Sequence, residues 1–163
     1  MTRYLLAGLL VLIAGASALL LYPDGQAIPL VEFKIIDGQR IHAADLRGKP
    51  VLINFWSTSC TPCIEEMPAL EALHQANRGK LTMIGVAMPQ DRPDIVIDFS
   101  HRLGVTYPIA LDLQGQLAGE FNIKVVPTTL LYGPDGQLTT KILGIVDTEA
   151  LQTIIQPLTE KRR

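Results

Sequence analysis

Apolar runs and polar, turn-rich connections succeed one another along this chain in an order that reads as strand and helix in turn. The first long feature is Tyr4 to Tyr22, which carries no charge. As a helix at roughly 1.5 Å per residue it would reach about 28 Å, close to the hydrocarbon thickness of a bilayer. Pro23 to Pro29 reads as a linker. Leu30 to Lys34 and Arg40 to His42 then flank Asp37-Gly38, the commonest two-residue hairpin signal. After a polar connection from Ala43 to Lys49, Val51 to Phe55 is almost wholly apolar, as a strand buried on both faces must be. Ile64, Met67, Leu70 and Leu73 recur at helical spacing and predict a helix capped by Ser57, Thr58 or Ser59, kinked at Pro68 and ending near Gly79.

The second half repeats the alternation. Leu81 to Met88 predicts a strand, Asp94 to Leu103 an amphipathic helix, Tyr107 to Leu111 a strand and Leu113 to Phe121 a short helix. Thr128 to Tyr132 and Leu138 to Leu143 are strands around the turn Gly133-Pro134-Asp135-Gly136, and Thr148 to Leu158 predicts a closing helix. An order of βαβαβα followed by ββα describes an α/β fold with a central mixed sheet, helices on both faces and a small N-terminal β-hairpin extension.

Charge and length narrow the function. With 14 basic against 16 acidic side chains and no basic run beyond Lys161-Arg162-Arg163, the chain lacks the electrostatic footprint of a nucleic-acid binder. Arg3 precedes the apolar segment and Asp24 follows it, so the N-terminus is expected in the cytoplasm and the rest outside. A cleaved signal peptide competes with a single-pass transmembrane anchor, because Ala16-Ser17-Ala18 fits the small-residue cleavage pattern. Cleavage there would leave Leu19-Leu20-Leu21 at the start of the mature chain, which favours the anchor. No cysteine follows the segment, so a lipid anchor is out, and both readings export the domain. The expected organisation is an anchor over residues 1–22, a linker over 23–29 and one domain over 30–163, long enough for a single hydrophobic core.

The only cysteines are Cys60 and Cys63. A pair this close cannot form a structural disulfide framework and must be catalytic, metal-binding or incidental. At the junction of a buried strand and a helix, the first sulfur lies among unpaired backbone N–H groups at the positive end of the helix dipole. There a cysteine pKa falls from about 8.5 to roughly 3.5–7.5, which makes Cys60 a nucleophile, while Cys63, one turn inside, stays protonated until needed. The expected chemistry is attack of a thiolate on a disulfide, resolved by the second thiol. Pro62 suits a first helical turn, having no N–H to satisfy.

The run Phe55-Trp56-Ser57-Thr58-Ser59-Cys60-Thr61-Pro62-Cys63 resembles the active site of the thioredoxin superfamily. Gly48-Lys49-Pro50-Val51, Glu66-Met67-Pro68, Val126-Pro127-Thr128 and Gly133-Pro134-Asp135-Gly136 extend the resemblance to its TlpA-like and ResA-like branch over nearly all of the chain after Leu30. The resemblance implies a thioredoxin-like fold and a membrane-anchored, extracytoplasmic enzyme that reduces protein disulfides, as many of this branch do in cytochrome c maturation. It implies no cofactor beyond the redox-active Cys60–Cys63 disulfide. Implied partners are a protein disulfide such as apocytochrome c or another oxidoreductase, and a membrane protein as electron donor. Pro127 would be a cis-proline facing the cysteines, with the Val126 backbone pairing with an extended substrate and Thr61 and Pro62 beside it. Glu66 would handle protons near the sulfurs; the alternative is a first-turn glutamate complementing the helix dipole. Asn54 departs from the thioredoxin pattern, which has a buried aspartate there, and this throws weight onto Glu66 or water. Trp56 lines the substrate surface or closes the core. Gly144 gives a substrate backbone room or ends a strand. His42, His74 and His101 are scattered as exposed side chains, and Glu65 as a solvated one, whereas Met83 and Met88 read as packing.

Two rival chemistries use the same fold. A copper-binding module would hold the metal on two thiolates and a distal histidine, but related copper carriers have three residues between the cysteines and no histidine here is well placed. A thiol peroxidase would need threonine and proline where Ser57 and Ile53 stand.

Overall fold

A computed structural model describes residues 26–160. The expected membrane segment, its cleavage pattern, the start of the linker and the terminal basic run lie outside the described residues. Among those described, no helix is long and apolar enough to cross a membrane.

The central strand follows from its composition. β3 (Val51–Trp56) is buried along its whole length and carries a neighbour on each side. It pairs in parallel with β4 (Thr82–Ala87) and antiparallel with β6 (Thr128–Tyr132). β5 (Ile109–Leu111) extends one side in parallel and β7 (Leu138–Leu143) the other side antiparallel, giving the mixed order β5-β4-β3-β6-β7. β1 (Glu32–Lys34) and β2 (Arg40–His42) form the separate hairpin, with Lys34 opposite Arg40 and Gly38 in the turn at φ +91°. Pairing begins before the expected domain start. Ala27 bridges Gln137, and Ile28 N–H donates to Gly136 O at 2.9 Å, so the last linker residues are part of the sheet edge.

Side-chain alternation along β3 divides the core. Val51, Ile53 and Phe55 face one layer with Phe33, Ile84, Val86, Phe121 and Leu130. Leu52 and Trp56 face the other, packed by α1 (Thr61–Ala76) through Cys63, Met67 and Leu70 and by α4 (Thr148–Glu160) through Leu151 and Ile155. α1 runs on past Pro68 to Ala76. α2 (Pro93–Arg102) and the short α3 (Gln116–Glu120) complete the helices. Asp112, buried, begins α3 by accepting from Leu117 N–H at 3.0 Å and Ala118 N–H at 2.8 Å. By the same alternation Asn54 points to the α1 side of the sheet.

Candidate active site

β3 delivers the chain to the end of the sheet, where Trp56 O accepts from Met88 N–H at 3.0 Å. Ser57 to Ser59 turn it into α1, with Cys60 N–H donating to Ser57 O at 3.1 Å. The cap of the helix is Cys60 itself rather than Ser57, Thr58 or Ser59: its backbone is extended and its Sγ accepts from Cys63 N–H at 3.3 Å. Pro62 occupies the first turn. The sulfur of Cys60 thus sits at the end of the helix where N–H groups are unpaired and the dipole is positive, a place that favours a thiolate. Cys60 is half-buried, Thr61 and Pro62 are exposed, and Cys63 is fully buried. The two sulfurs form a disulfide, the oxidised state of the pair.

Below them is a buried polar group of four residues. Glu66 is 2% exposed and lies beyond the first turn, so it is not a first-turn glutamate complementing the helix dipole. Its Oε1 accepts from Asn54 Nδ2 at 2.8 Å and its Oε2 from Val146 N–H at 2.9 Å, and Asn54 Nδ2 also donates to Thr129 Oγ1 at 2.9 Å. Burial pushes the Glu66 carboxyl above its ordinary 4.5, and the bonds from Val146 and Asn54 only partly offset it. Glu66 lies one turn beyond Cys63 on the same helix face, the spacing at which side chains are neighbours.

The second segment of the site is Val126–Pro127, just before β6, whose peptide bond is cis. Pro127 is buried, and Val126 rests on the same core cluster as Cys60. Pro127 O accepts from Gly144 N–H at 2.9 Å, which brings the end of β7 alongside. Gly144 has φ +88° and ends that strand. Around this segment Val125, Leu143 and Ile145 expose 53%, 65% and 55% of their surface.

The surface reading of Trp56 and the exposed reading of His74 are corrected, while the other histidines and the two methionines lie as expected. Trp56 is fully buried in the α1-side core and does not line the surface. His74 is half-buried, with its ring 5.8 Å from that of Tyr107, and burial lowers its pKa. His42 and His101 are exposed, Met83 is buried, and Met88 packs partly buried on the other core. Among the described residues, no three His, Cys, Asp or Glu side chains cluster as metal ligands.

Two residues of the site carry no sequence signal. Gly85 lies opposite Asn54 in the sheet, and a Cβ there would stand 2.6 Å from Ile109 Cδ1, 3.1 Å from Tyr107 Cε2 and 3.3 Å from Trp56 Nε1. Asp91, on the loop after β4, binds the Ser57-Thr58 turn through both carboxylate oxygens. Each is a lone residue whose role depends on contacts across the fold.

The geometry agrees with what this chain resembles. Residues 25–141 match the AhpC/TSA family. The thiol-disulfide oxidoreductase ResA of Bacillus thuringiensis strain Al Hakam is 31% identical over 136 residues, covering 83% of this chain and 78% of ResA. The thioredoxin-like protein YneN of Bacillus subtilis is 30% identical over 131 residues, 79% of this chain and 76% of YneN. The crystal structure of StoA from Bacillus subtilis superposes with a TM-score of 0.69 at 26% identity, covering 78% of this chain and 98% of StoA. The chain therefore belongs to the thioredoxin-like AhpC/TSA family and has the ResA-type thiol-disulfide oxidoreductases among its relatives.

Proposed function

We propose that this protein is a thiol-disulfide oxidoreductase tethered to the outer face of the cytoplasmic membrane, where it reduces disulfides of exported proteins. The observation that carries this reading is the inequality of the two sulfurs: Cys60 caps α1 and is half-buried, while Cys63 is fully buried. In the reduced enzyme the Cys60 thiolate attacks one sulfur of the substrate disulfide, forming a mixed disulfide and releasing the other sulfur as a thiolate. Cys63 gives up its proton and attacks Cys60 Sγ. The second substrate sulfur leaves, and the enzyme closes its own disulfide. Two electrons pass to the substrate, which takes up two protons overall.

Glu66 is the acceptor for the Cys63 proton in this scheme, because its burial brings its carboxyl closer to neutrality than an exposed glutamate and the helix places it one turn away. The Val126 edge pairs with an extended substrate strand, and Thr61 and Pro62 border it. Exposed Val125, Leu143 and Ile145 suit a protein substrate, which brings apolar surface to cover them. No cofactor enters, since the two sulfurs carry both electrons. Thr61 places no charge beside Cys60, which favours the reductant direction, with apocytochrome c or another oxidoreductase as acceptor and a membrane protein as donor.

Two measurements test the reading. Alkylation of living cells under acid quench should trap Cys60 and Cys63 as free thiols; a pair held oxidised at steady state would reverse the direction of electron flow. Fractionation should place the intact chain in the membrane. A soluble product beginning near Leu19 would contradict the tether.

A further inference from the structure

The carboxylate of Asp91 serves the turn that carries Cys60, although the two lie on different loops. Oδ1 accepts from Ser57 Oγ at 2.9 Å and from Thr58 Oγ1 at 2.8 Å, and Oδ2 accepts from Thr58 N–H at 2.8 Å. Asp91 is 8% exposed and Ser57 1%. The loop is itself fixed, since Asp91 N–H donates to Met88 O at 3.0 Å. On the other side of the turn, Ser57 O receives Cys60 N–H at 3.1 Å. One buried side chain therefore holds the two residues from which Cys60 hangs.

Hydrogen bonding alone does not strictly require an acid here: an amide has one accepting oxygen where the carboxylate uses two, but that oxygen can keep Thr58 N–H while its NH2 donates to the hydroxyls of Ser57 and Thr58. What the acid adds is the charge of a carboxylate, 8% exposed and bonded to the turn that leads into Cys60. Among the described residues, no ion pair neutralises it. Arg92, next in the chain, turns both Nε and Nη2 to Asp94, at 3.1 Å and 2.7 Å. The next acids after the pair on α1 are Glu65, exposed to solvent, and Glu66, buried. A like charge nearby disfavours a second charge at Cys60, and the effect is larger where water screens poorly.

We infer that Asp91 is a positioning residue that fixes the Cys60 turn and, through its charge, opposes the Cys60 thiolate and biases the couple toward its reducing side. This rests on the disulfide-exchange reading and deepens it by naming what sets the direction of electron flow. The helix terminus favours the thiolate and so stabilises the reduced form, which makes a couple more oxidising. Asp91 works against that term. The uncharged Thr61 adds nothing to either side.

The test uses the full-length protein in detergent. Cys60 reactivity toward iodoacetamide is followed against pH, and the dithiol–disulfide equilibrium is measured against glutathione. Asp91→Asn keeps an accepting oxygen but removes the charge. It should lower the Cys60 thiol pKa by about one unit and shift the equilibrium toward the dithiol by up to about tenfold, about 30 mV for this two-electron couple. Thr58→Val removes one bond to Asp91 and leaves the charge, and it should keep both quantities at wild-type values. The inference is overturned if Asp91→Asn leaves both unchanged, or if Thr58→Val moves them as far. Should Asp91→Asn not fold, carbon NMR of the reduced wild type decides: the Asp91 carboxyl resonance should inflect as Cys60 titrates and lose that inflection in Cys60→Ala, and its absence in the wild type overturns the inference. A wild type that exchanges with glutathione while Asp91→Asn behaves identically refutes this inference alone. A wild type that does not exchange at all refutes the disulfide-exchange reading and this inference with it.

Discussion

Asn54 on the central strand and Glu66 on α1 are joined by a hydrogen bond of 2.8 Å, Nδ2 to Oε1, in a part of the core where neither side chain reaches solvent. Strand alternation aims Asn54 at the helix, and the helical repeat brings Glu66 back beneath Cys63. A strand amide has no proton to exchange at neutral pH. On the proposed mechanism the proton acceptor lies on the helix that carries both sulfurs, and the strand amide is its hydrogen-bond donor.

The first prediction concerns this acid. Its folded pKa lies above the ordinary 4.5, so between 4.5 and the folded value the native state holds a proton that the unfolded chain has released. The stability tied to Glu66 is full below that pH and declines as pH rises through the folded value. Glu66→Gln mimics the protonated acid and cannot ionise. Urea unfolding from pH 4 to 8 should show the two proteins within about 1 kcal/mol at pH 4, with the variant gaining on the wild type as pH rises. Resolution of mixed disulfides should slow by about 100-fold, the scale of a lost general base, with attack by Cys60 little changed. Equal resolution rates would remove Glu66 from the mechanism.

Gly85 tests the packing beneath the site. An added methyl group meets Ile109 Cδ1 at 2.6 Å between two further buried neighbours, so room must come from displaced side chains. Gly85→Ala should lower stability by about 1–3 kcal/mol, read as a lower urea midpoint at unchanged slope. An unchanged or raised midpoint would show that Ile109 and Tyr107 yield freely.

Ile145 tests whether the substrate is a protein. Its side chain is 55% exposed beside the Val126 segment, and covering it with a partner's apolar surface is worth about 1 kcal/mol. Ile145→Ser should reduce kcat/KM for a protein disulfide by about fivefold and leave the rate with a small disulfide such as oxidised glutathione unaltered. Equal losses on both substrates would mean that the residue acts on the site itself.

The legible parts of this fold were those written in local patterns. The apolar run ending at Phe55 could only be a central strand, and the Cys60-Thr61-Pro62-Cys63 spacing after it located the chemistry at a helix start. Ser57, Thr58 and Ser59 looked like caps because hydroxyls before a helix usually are, but Cys60 Sγ took that place and the hydroxyls of Ser57 and Thr58 went to Asp91. Asp91 was invisible because it lies 33 and 34 residues from the partners it holds, in a polar loop where an aspartate is unremarked. The two readings of Glu66 could not be separated by spacing alone, since burial is set by α1 docking on the sheet. Of the two readings open for Trp56, strand alternation carries it into the core rather than to the surface beside Cys60. Gln26 to Ile28 read as linker because their pairing depends on the distant β6–β7 turn.

The central claim is that Cys60 attacks and Cys63 resolves, and covalent trapping tests it most directly. Cys63→Ala keeps the helix-capping thiolate but lacks the resolving thiol, so it should accumulate mixed disulfides with its partners. Cys60→Ala keeps only the buried thiol and should trap little. Both are recovered from cells under acid quench, run on non-reducing gels and treated with dithiothreitol, with partners identified by mass spectrometry. The expected result is a set of dithiothreitol-sensitive complexes in Cys63→Ala at least tenfold more abundant than in Cys60→Ala, a difference that about 1.4 kcal/mol of thiolate stabilisation would supply. Equal trapping by the two variants, or more by Cys60→Ala, would contradict the assignment of the nucleophile.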